Sequence, residues 1–215
     1  MNILHISDLH GHWELILNEK QKLEQSDIIV FTGDMLPDLY NSSKRNQQQY
    51  QFKWVKQNSN FKSVVKLLET KSVIIVNGNH DYINLANYIP NSFHITEKQT
   101  CVINGVKFAG FEGMPYCGGG FNQELSDLEI ESRARAALNH KPDILLTHVP
   151  PAGMLDEGKW GLIPLRALID EETSLVTYKV HLFGHCHYDG NKRVLHKGVE
   201  YINGACCVNL LHLDF

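Results

Sequence analysis

Five short apolar runs, each followed by polar residues, constrain the fold of this chain more than any other feature of its sequence. The runs are NILHI, DIIVF, SVIIV, DILLT and KVHLF, beginning at residues 2, 27, 72, 143 and 179. Runs of this length that are rich in Val, Ile and Leu are typical of buried β-strands. Stretches with helical character lie between them, at 12–25, 47–69 (in pieces), 124–138 and 161–171. This alternation predicts an α/β fold in which helices cover a central sheet.

Two segments depart from the alternation and predict added antiparallel strands. The stretch CVINGVKFAGF places Asn104 and Gly105 between two apolar runs, which is a strong signal for a two-residue hairpin turn. From Lys192 onward the sequence indicates short strands, glycine turns and little helix. Because neither an internal repeat nor a linker interrupts the chain, we expect one domain over residues 1–215.

The composition is that of an ordinary globular protein, and it argues against several functional classes. The chain has 215 residues, of which 43% are hydrophobic and 20% charged, enough to bury a full core. The formal net charge of −4 argues against a basic surface for long nucleic acid. Five cysteines without a CxxC pair predict neither a disulfide framework nor a thiolate zinc site.

The apolar segments also bear on the compartment. Asp8 interrupts the N-terminal run where a signal peptide would need its apolar core. No run approaches the roughly 20 apolar residues that cross a bilayer. We therefore expect a cytoplasmic protein with no membrane partner.

Carboxylate, imidazole or amide side chains directly follow each of the five apolar runs. They are Asp8 and His10, then Asp34, then Asn79, His80 and Asp81, then His148, and finally His185 and His187. Ligands of open α/β sheets bind beyond the carboxyl ends of the strands, so these segments are expected to meet at one mouth. One such residue alone has an ordinary explanation, for example a helix N-cap at Asp8. The recurrence at five strand ends predicts a shared metal site.

The sequence resembles the calcineurin-like metallophosphoesterase superfamily through five motifs in a fixed order. They read Asp8-Leu9-His10, Gly33-Asp34, Gly78-Asn79-His80-Asp81, His148 and Gly184-His185-Cys186-His187. The resemblance covers almost the whole chain, and stretches such as GMPYCGGGFN and HLFGHCH are most similar to the small stand-alone members. It implies a four-layer α/β/β/α sandwich of mixed sheets with a two-metal centre.

The resemblance also implies the roles of individual residues. One divalent transition metal ion would be held by Asp8, His10, Asp34 and His187, and a second by Asp34, Asn79, His148 and His185, with Asp34 bridging. This nitrogen and oxygen donor set suits Mn, with Fe, Zn, Co or Ni as alternatives, better than calcium. A metal-bridging hydroxide would attack phosphorus, and His80 would protonate the leaving group as general acid. Asn79 and His80 would also contact the substrate.

The expected activity is therefore hydrolysis of a small phosphodiester or phosphomonoester, with nucleotides and cyclic nucleotides among the candidates. The alternative is a catalytically silent scaffold for protein interactions on the same fold. Such scaffolds usually lose metal ligands or the acid histidine, and here all seven ligand positions and His80 are present. A DNA nuclease would need a basic face, for which this acidic chain has little room.

The sequence departs from the protein serine/threonine phosphatases of the superfamily, which show GDxxDRG and GNHE. This chain has GDMLPDL and GNHD, with Pro37 where the second Asp would fall and Asp38 one residue late. On this basis we do not assign Asp38 as the orienting partner of His80, and protein phosphatase activity is not expected. Asp81 is predicted to be a structural hydrogen-bond acceptor.

Other polar residues receive structural interpretations. His5 and His181 lie within apolar runs and are predicted to be core histidines with satisfied hydrogen bonds. Lys159, Arg166 and Arg193 are expected to be solvated charges rather than ligands of a second phosphate.

Substrate selection is expected to reside in the loops of 36–60, 114–123 and 150–165. The Gln-rich segment 38–51 predicts a surface loop or a helix start, with a flap over the site as the alternative. YCGGGF (116–121) predicts a flexible loop. The sequence leaves the oligomeric state open.

Overall fold

The computed structural model describes residues 1–171 and 175–215 and shows two β-sheets packed face to face. The strands are β1 (Asn2–Ser7), β2 (Ile28–Phe31), β3 (Ser72–Ile75), β4 (Ser92–His94), β5 (Cys101–Ile103), β6 (Val106–Phe111), β7 (Met114–Pro115), β8 (Glu124–Leu125), β9 (Ile144–Thr147), β10 (Val180–Phe183), β11 (Arg193–His196), β12 (Val199–Asn203) and β13 (Cys207–His212). The helices are α1 (Glu14–Asn18), α2 (Lys20–Gln25), α3 (Lys44–Gln57), α4 (Ser59–Leu68), α5 (Asp127–Asn139) and α6 (Ile163–Asp170).

Both large sheets are mixed. The first has the strand order β13-β1-β2-β3-β4, in which β13 is antiparallel to β1 and the other pairs are parallel. The second has the order β11-β12-β10-β9-β6-β5, with a parallel centre and antiparallel edge strands. The strands β7 and β8 form a separate parallel pair. In each sheet the parallel strands end at a common edge.

Helices cover the outer face of each sheet, so the molecule has four layers. Between the sheets, residues such as Ile3 and Val30 share an apolar core with Phe108 and Leu182. On the outside of the first sheet, a second core includes residues of α1 to α4. A third core joins α5 and α6 to the second sheet. The α/β/β/α sandwich of mixed sheets is thus confirmed.

Each of the five apolar runs forms a strand, and the predicted hairpin is present. Asn104 and Gly105 have φ angles of 52° and 81°, the left-handed pair required by a type I′ turn. This turn joins β5 to β6, with Ile103 paired to Val106. From residue 192 onward the chain forms β11, β12 and β13, as the short strand pattern predicted.

Side-chain caps mark the beginnings of α3, α4 and α5, which apolar spacing alone did not show. The stretch 47–69, predicted to be helical in pieces, lies in two helices, α3 and α4. The Asn58 side chain accepts a hydrogen bond from Phe61 N where α4 begins. Ser43 caps α3 in the same way. The stretch 124–138 begins its helix only at Asp127, after a capping box formed by Ser126 and Glu129.

The Gln-rich segment 38–51 contains the start of α3, which is one of the two predicted outcomes. Hydrogen bonds join this helix to the loop after β3. The buried Gln51 side chain on α3 donates to the carbonyl of His80 at 2.6 Å and accepts from Tyr82 N at 2.8 Å. Within residues 1–171 and 175–215, no helix is both long and apolar enough to cross a membrane.

Candidate metal centre

The seven side chains predicted as metal ligands lie together beyond the carboxyl ends of β1, β2, β3, β9 and β10. Potential donor atoms of Asp8, His10 and His187 lie within 4.8 Å of one another, and so do those of Asp34, His148 and His185. Asn79 joins the second group, since its Oδ1 is 3.0 Å from His148 Nε2. The hydrogen bond from His185 N to Asp8 Oδ2, at 2.9 Å, links the two groups. Their use as ligands stays a prediction.

Four of these seven residues have a left-handed backbone conformation that residues other than glycine rarely adopt. The φ angles of Asp8, His10, Asp34 and His185 are 56°, 46°, 54° and 68°. Each left-handed residue costs about 1–3 kcal/mol and persists only where its surroundings enforce it. Here the loops after β1 and β2 bind each other, through Asp8 N to Gly33 O and His10 N to Asp34 O, both 2.9 Å. Such strain is typical of functional sites.

Two glycines make room for the carboxylates. A Cβ atom on Gly78 would collide with Oδ1 of Asp34, and one on Gly184 would collide with Ser7 Oγ and Asp8 Oδ2. These glycines immediately precede Asn79 and His185. The Gly-Asn and Gly-His pairs in the sequence therefore have a steric cause, because the chain passes closely behind each acidic side chain.

The surroundings of His148 fit a cation. Its Nδ1 lies 2.7 Å from the carbonyl oxygen of Thr32. Because a carbonyl oxygen only accepts hydrogen bonds, Nδ1 carries a proton. In the neutral ring, Nε2 therefore has a lone pair and no proton. It nevertheless lies 3.2 Å from Asp34 Oδ2, which also carries lone pairs, and 3.3 Å from His185 Nδ1. A positive charge among these atoms, either a second proton or a metal ion, would stabilise this arrangement. The mixed imidazole, carboxylate and amide donors suit a divalent transition metal.

The carboxylates of the site stay ionised although they are buried. Burial alone raises the pKa of Asp34, but His148 outweighs it and holds that pKa below the ordinary value. Burial also raises the pKa of Asp8, but the hydrogen bond from His187 and the charge of His148 outweigh it and lower that pKa. For His185, burial and the charge of His148 lower the pKa to about 4. Ionised carboxylates and the neutral imidazole of His185 are protonation states that metal binding requires. Although burial lowers the pKa of His148, the charge of Asp34 raises it to about 9, and the hydrogen bond to Asp8 raises the pKa of His187 to about 10. A metal ion would therefore displace a proton from each of these two rings.

His80 lies beside the two groups and is paired with Asp38, which corrects the interpretation of the sequence. Asp38 Oδ2 is 2.8 Å from His80 Nδ1 and 3.5 Å from His10 Nδ1. Burial lowers the pKa of His80, but the hydrogen bond to Asp38 and the charge of Asp34 raise it above the ordinary value. The one-residue displacement caused by Pro37 does not prevent the contact. The sequence signal for this contact is an acidic residue four positions after Asp34, and the pairing does not require the exact GDxxDRG spacing.

Asp81 is a structural acceptor, as predicted. Its carboxylate accepts four backbone hydrogen bonds, from Asp34, Met35, Leu36 and Gly78, at 2.8–3.1 Å. These bonds fix the loop after β2 to the loop after β3. Asp81 therefore supports the site without offering an oxygen to it.

A cavity of about 630 Å³ opens onto these side chains. Six of its lining residues belong to the site, namely His10, Asp34, Asn79, His80, His185 and His187. The others are Met114, Cys117, Phe121, Glu157, Trp160 and Tyr188. The loops 36–60, 114–123 and 150–165 were expected to face the substrate. Five of these six residues lie in the last two loops, whereas no residue of 36–60 lines this cavity. No sequence signal singled out the six residues themselves.

Comparison with known proteins agrees with this geometry. The family model described as calcineurin-like phosphoesterase matches residues 1–189, whereas no curated protein matches the sequence significantly. Among solved structures, TT1561 of Thermus thermophilus is similar, with a TM-score of 0.62 and 17% identity over 94% of this chain and 88% of that one.

Two further structures share the fold. One is a dimetal phosphatase from Danio rerio, with a TM-score of 0.53 and 12% identity over 94% of this chain and 86% of that chain. The other is the phosphopantetheinyl hydrolase PptH from Mycobacterium tuberculosis, with a TM-score of 0.51 and 14% identity over 96% and 89%. Identities this low show a common fold, and the family model covers most of the sequence. The chain belongs to the calcineurin-like phosphoesterase family.

Proposed function

We propose that this protein is a dinuclear metal-dependent phosphoesterase that hydrolyses a small phosphodiester or phosphomonoester, with His80 as its general acid. The observation that carries the proposal is the placement of two donor groups and a paired histidine around one cavity. The Danio rerio structure of the same fold is named a dimetal phosphatase. Cytoplasmic location and a single domain over 1–215 remain predictions from the sequence.

The seven donor residues would hold two divalent ions in the two sets given by the family resemblance. When bound, such ions supply positive charge at the phosphate and lower the pKa of water. Asp8 and Asp34 are the only carboxylates of the set, since its other members are four histidines and Asn79. Two divalent ions carry four positive charges, and the two carboxylates carry two negative ones. The occupied site would therefore have a net charge of about +2, which attracts a phosphate oxyanion.

His80 is suited to donate a proton to the leaving group. Its Nδ1 is engaged by Asp38, so Nε2 is the ring nitrogen available to a substrate in the cavity. Although burial lowers the pKa of His80, its contacts with Asp38 and Asp34 raise it, which favours the imidazolium form. Proton donation of this kind typically contributes about 10²–10⁴-fold to the rate when the leaving group is poor.

A substrate panel tests the proposed function. Mn²⁺-loaded protein is assayed with aryl monoesters and diesters, mononucleotides and cyclic nucleotides, beside a sample treated with chelator. We expect hydrolysis that the chelator abolishes and that the Asp34→Asn variant lacks. Activity on none of these esters, with both metals bound, would instead support the protein-interaction scaffold.

A further inference from the structure

We propose that the substrate is an ester of a single phosphate whose leaving group carries an uncharged aromatic ring, and that Phe121, Trp160 and Tyr188 bind this ring. The inference rests on the proposed function, because it assigns the part of the cavity beyond the metal ligands. It names a substrate class from the chemistry of that lining.

The lining beyond the donor groups is dominated by aromatic side chains. Phe121, Trp160 and Tyr188 line the cavity together with Met114 and Cys117. Trp160 and Tyr188 leave 45% and 86% of their surface exposed. Large aromatic residues at the mouth of a cavity offer flat faces on which a ring can stack, in a site where a few polar groups fix its orientation.

Hydrogen bonds hold the segment that carries Phe121 in place. The Glu124 carboxylate accepts from the backbone N–H groups of Cys117, Gly119 and Phe121 at 2.7–2.9 Å. Asn122 N donates to the carbonyl of Asn79 at 3.0 Å. The Phe121 ring consequently lies with its centroid 5.1 Å from that of His80. A leaving group that accepts a proton from His80 would therefore contact this ring.

The segment that carries Trp160 is joined to Tyr188 by a second set of bonds. Glu157 N donates to Asp189 Oδ2, and Tyr188 N donates to Glu157 Oε1, both at 2.9 Å. Glu157 has a φ of 54°, a strained conformation that its neighbours must enforce. The two aromatic side chains are thus presented by backbone that is already ordered, which reduces the entropy cost of binding a rigid ring.

The charges of the lining argue against a second phosphate. Among the twelve residues lining the cavity in the described structure there is no Lys or Arg, while Glu157 adds a carboxylate. The nearby cations have other contacts, since Lys159 Nζ lies 4.9 Å from the centre of the Trp160 ring and Arg166 pairs with Asp170 at 2.7 Å. Arg193 pairs with Glu200 at 3.3 Å. A second phosphate would face the carboxylate of Glu157, and no Lys or Arg of the described lining would offset this repulsion.

Binding of the leaving group alone tests the pocket without metal or turnover. Adenosine and 2-naphthol are titrated into chelator-treated protein and followed by NMR, with ribose as the ring-free control. We expect saturable binding of at least one aromatic probe and none of ribose. Trp160→Ala and Tyr188→Ala should each weaken it about tenfold, within the range for loss of a stacking ring. The Phe52→Ala variant, which removes an exposed aromatic outside the cavity lining, serves as the matched control and should bind as the parent does.

Kinetics of the metal-loaded protein test the same inference on the reaction. Benzyl and propyl phosphate esters have leaving groups of similar basicity, so a higher kcat/KM for benzyl reports the ring. Adenosine 5′-diphosphate should inhibit more weakly than the monophosphate, so its inhibition constant should be larger. The Glu157→Gln variant should reduce the ratio of the two inhibition constants. Equal rates for both esters and no binding of either aromatic probe would overturn the inference while leaving the phosphoesterase function intact. Ring binding that depends on Trp160, without hydrolysis of any ester, would overturn the function instead.

Discussion

At the scale of single residues, the candidate metal centre consists of side chains that follow the strands, together with Asp38 and Asp81, which contact the same loops. Asp8, Asp34 and His148 were found because they follow apolar runs, and strand ends of an α/β sheet are where ligands bind. Asp38 was missed because its contact with His80 depends on the path of the chain around Pro37, which spacing in sequence does not report. The stacking residues Trp160 and Tyr188 had no sequence signal, since an isolated aromatic in a loop is ordinary.

Replacing His80 separates metal binding from proton donation. We expect His80→Asn to keep both metals and to lose about 10²–10⁴-fold in kcat on alkyl esters, whose leaving groups need a proton. Aryl esters with acidic leaving groups should be nearly unaffected. The measurement is kcat for a series of esters of increasing leaving-group basicity. A loss of equal size across the series would remove His80 from the role of acid.

Replacing Asn79 tests the charge of the centre. The Asn79→Asp variant keeps an oxygen donor 3.0 Å from His148 Nε2 but adds a negative charge. The positive charge available to an oxyanion therefore falls, and inorganic phosphate should bind more weakly to the metal-loaded variant than to the parent. Isothermal titration of phosphate into both proteins gives the comparison. Unchanged or tighter binding in the variant would contradict this account.

At the scale of elements, strands and turns followed from local pattern, whereas helix ends and loops did not. The hairpin between β5 and β6 was predictable because Asn-Gly adopts the left-handed pair that the turn needs. The beginnings of α3 and α4 depend on caps at Ser43 and Asn58. The loop 116–121 was predicted to be flexible from its glycines, but Glu124 ties three of its amides, a long-range role that composition does not show.

The order of that loop should depend on pH. Although partial burial raises the pKa of Glu124, the backbone N–H groups of Phe121, Cys117 and Gly119 lower it to about 2, below the ordinary value of 4.5. A group with a depressed folded pKa stabilises at high pH, so protection of these amides should be lost as pH falls from about 4.5 toward 2. Hydrogen exchange by NMR measures it. In the Glu124→Gln variant these amides should already have low protection at neutral pH. Equal protection of the parent's amides at pH 4.5 and pH 2 would contradict the prediction.

At the scale of the whole molecule, the four-layer architecture came from the family resemblance, since strand and helix alternation alone predicted only a covered sheet. The separation into two sheets depends on which strands pair across long stretches of sequence, for example β1 with β13. His5 and His181 are core histidines, as expected, and their Nε2 atoms bond Thr32 and Thr147 at 2.9 and 2.8 Å. Each Nδ1 has no partner among the described residues, so the predicted satisfaction is incomplete.

These two histidines make the fold sensitive to acid. Burial lowers the pKa of each to about 3, against an ordinary value of 6.5. The unfolded chain therefore binds more protons, and the free energy of unfolding should fall as pH drops below about 6.5, by about 2 kcal/mol per histidine at pH 5. Urea unfolding in chelator compares the parent with His181→Gln, whose amide can still bond Thr147. The variant should lose a smaller part of its stability between pH 7 and 5; identical losses would contradict this cause.

We propose that seven side chains from five strand ends hold two metal ions. Anomalous diffraction from a Mn²⁺-soaked crystal tests it most directly. We expect two peaks about 3.5–4 Å apart, the usual spacing of dinuclear sites, one among Asp8, His10 and His187 and the other among Asn79, His148 and His185, with Asp34 between them. A single ion elsewhere, or no ion at these residues, would contradict the account.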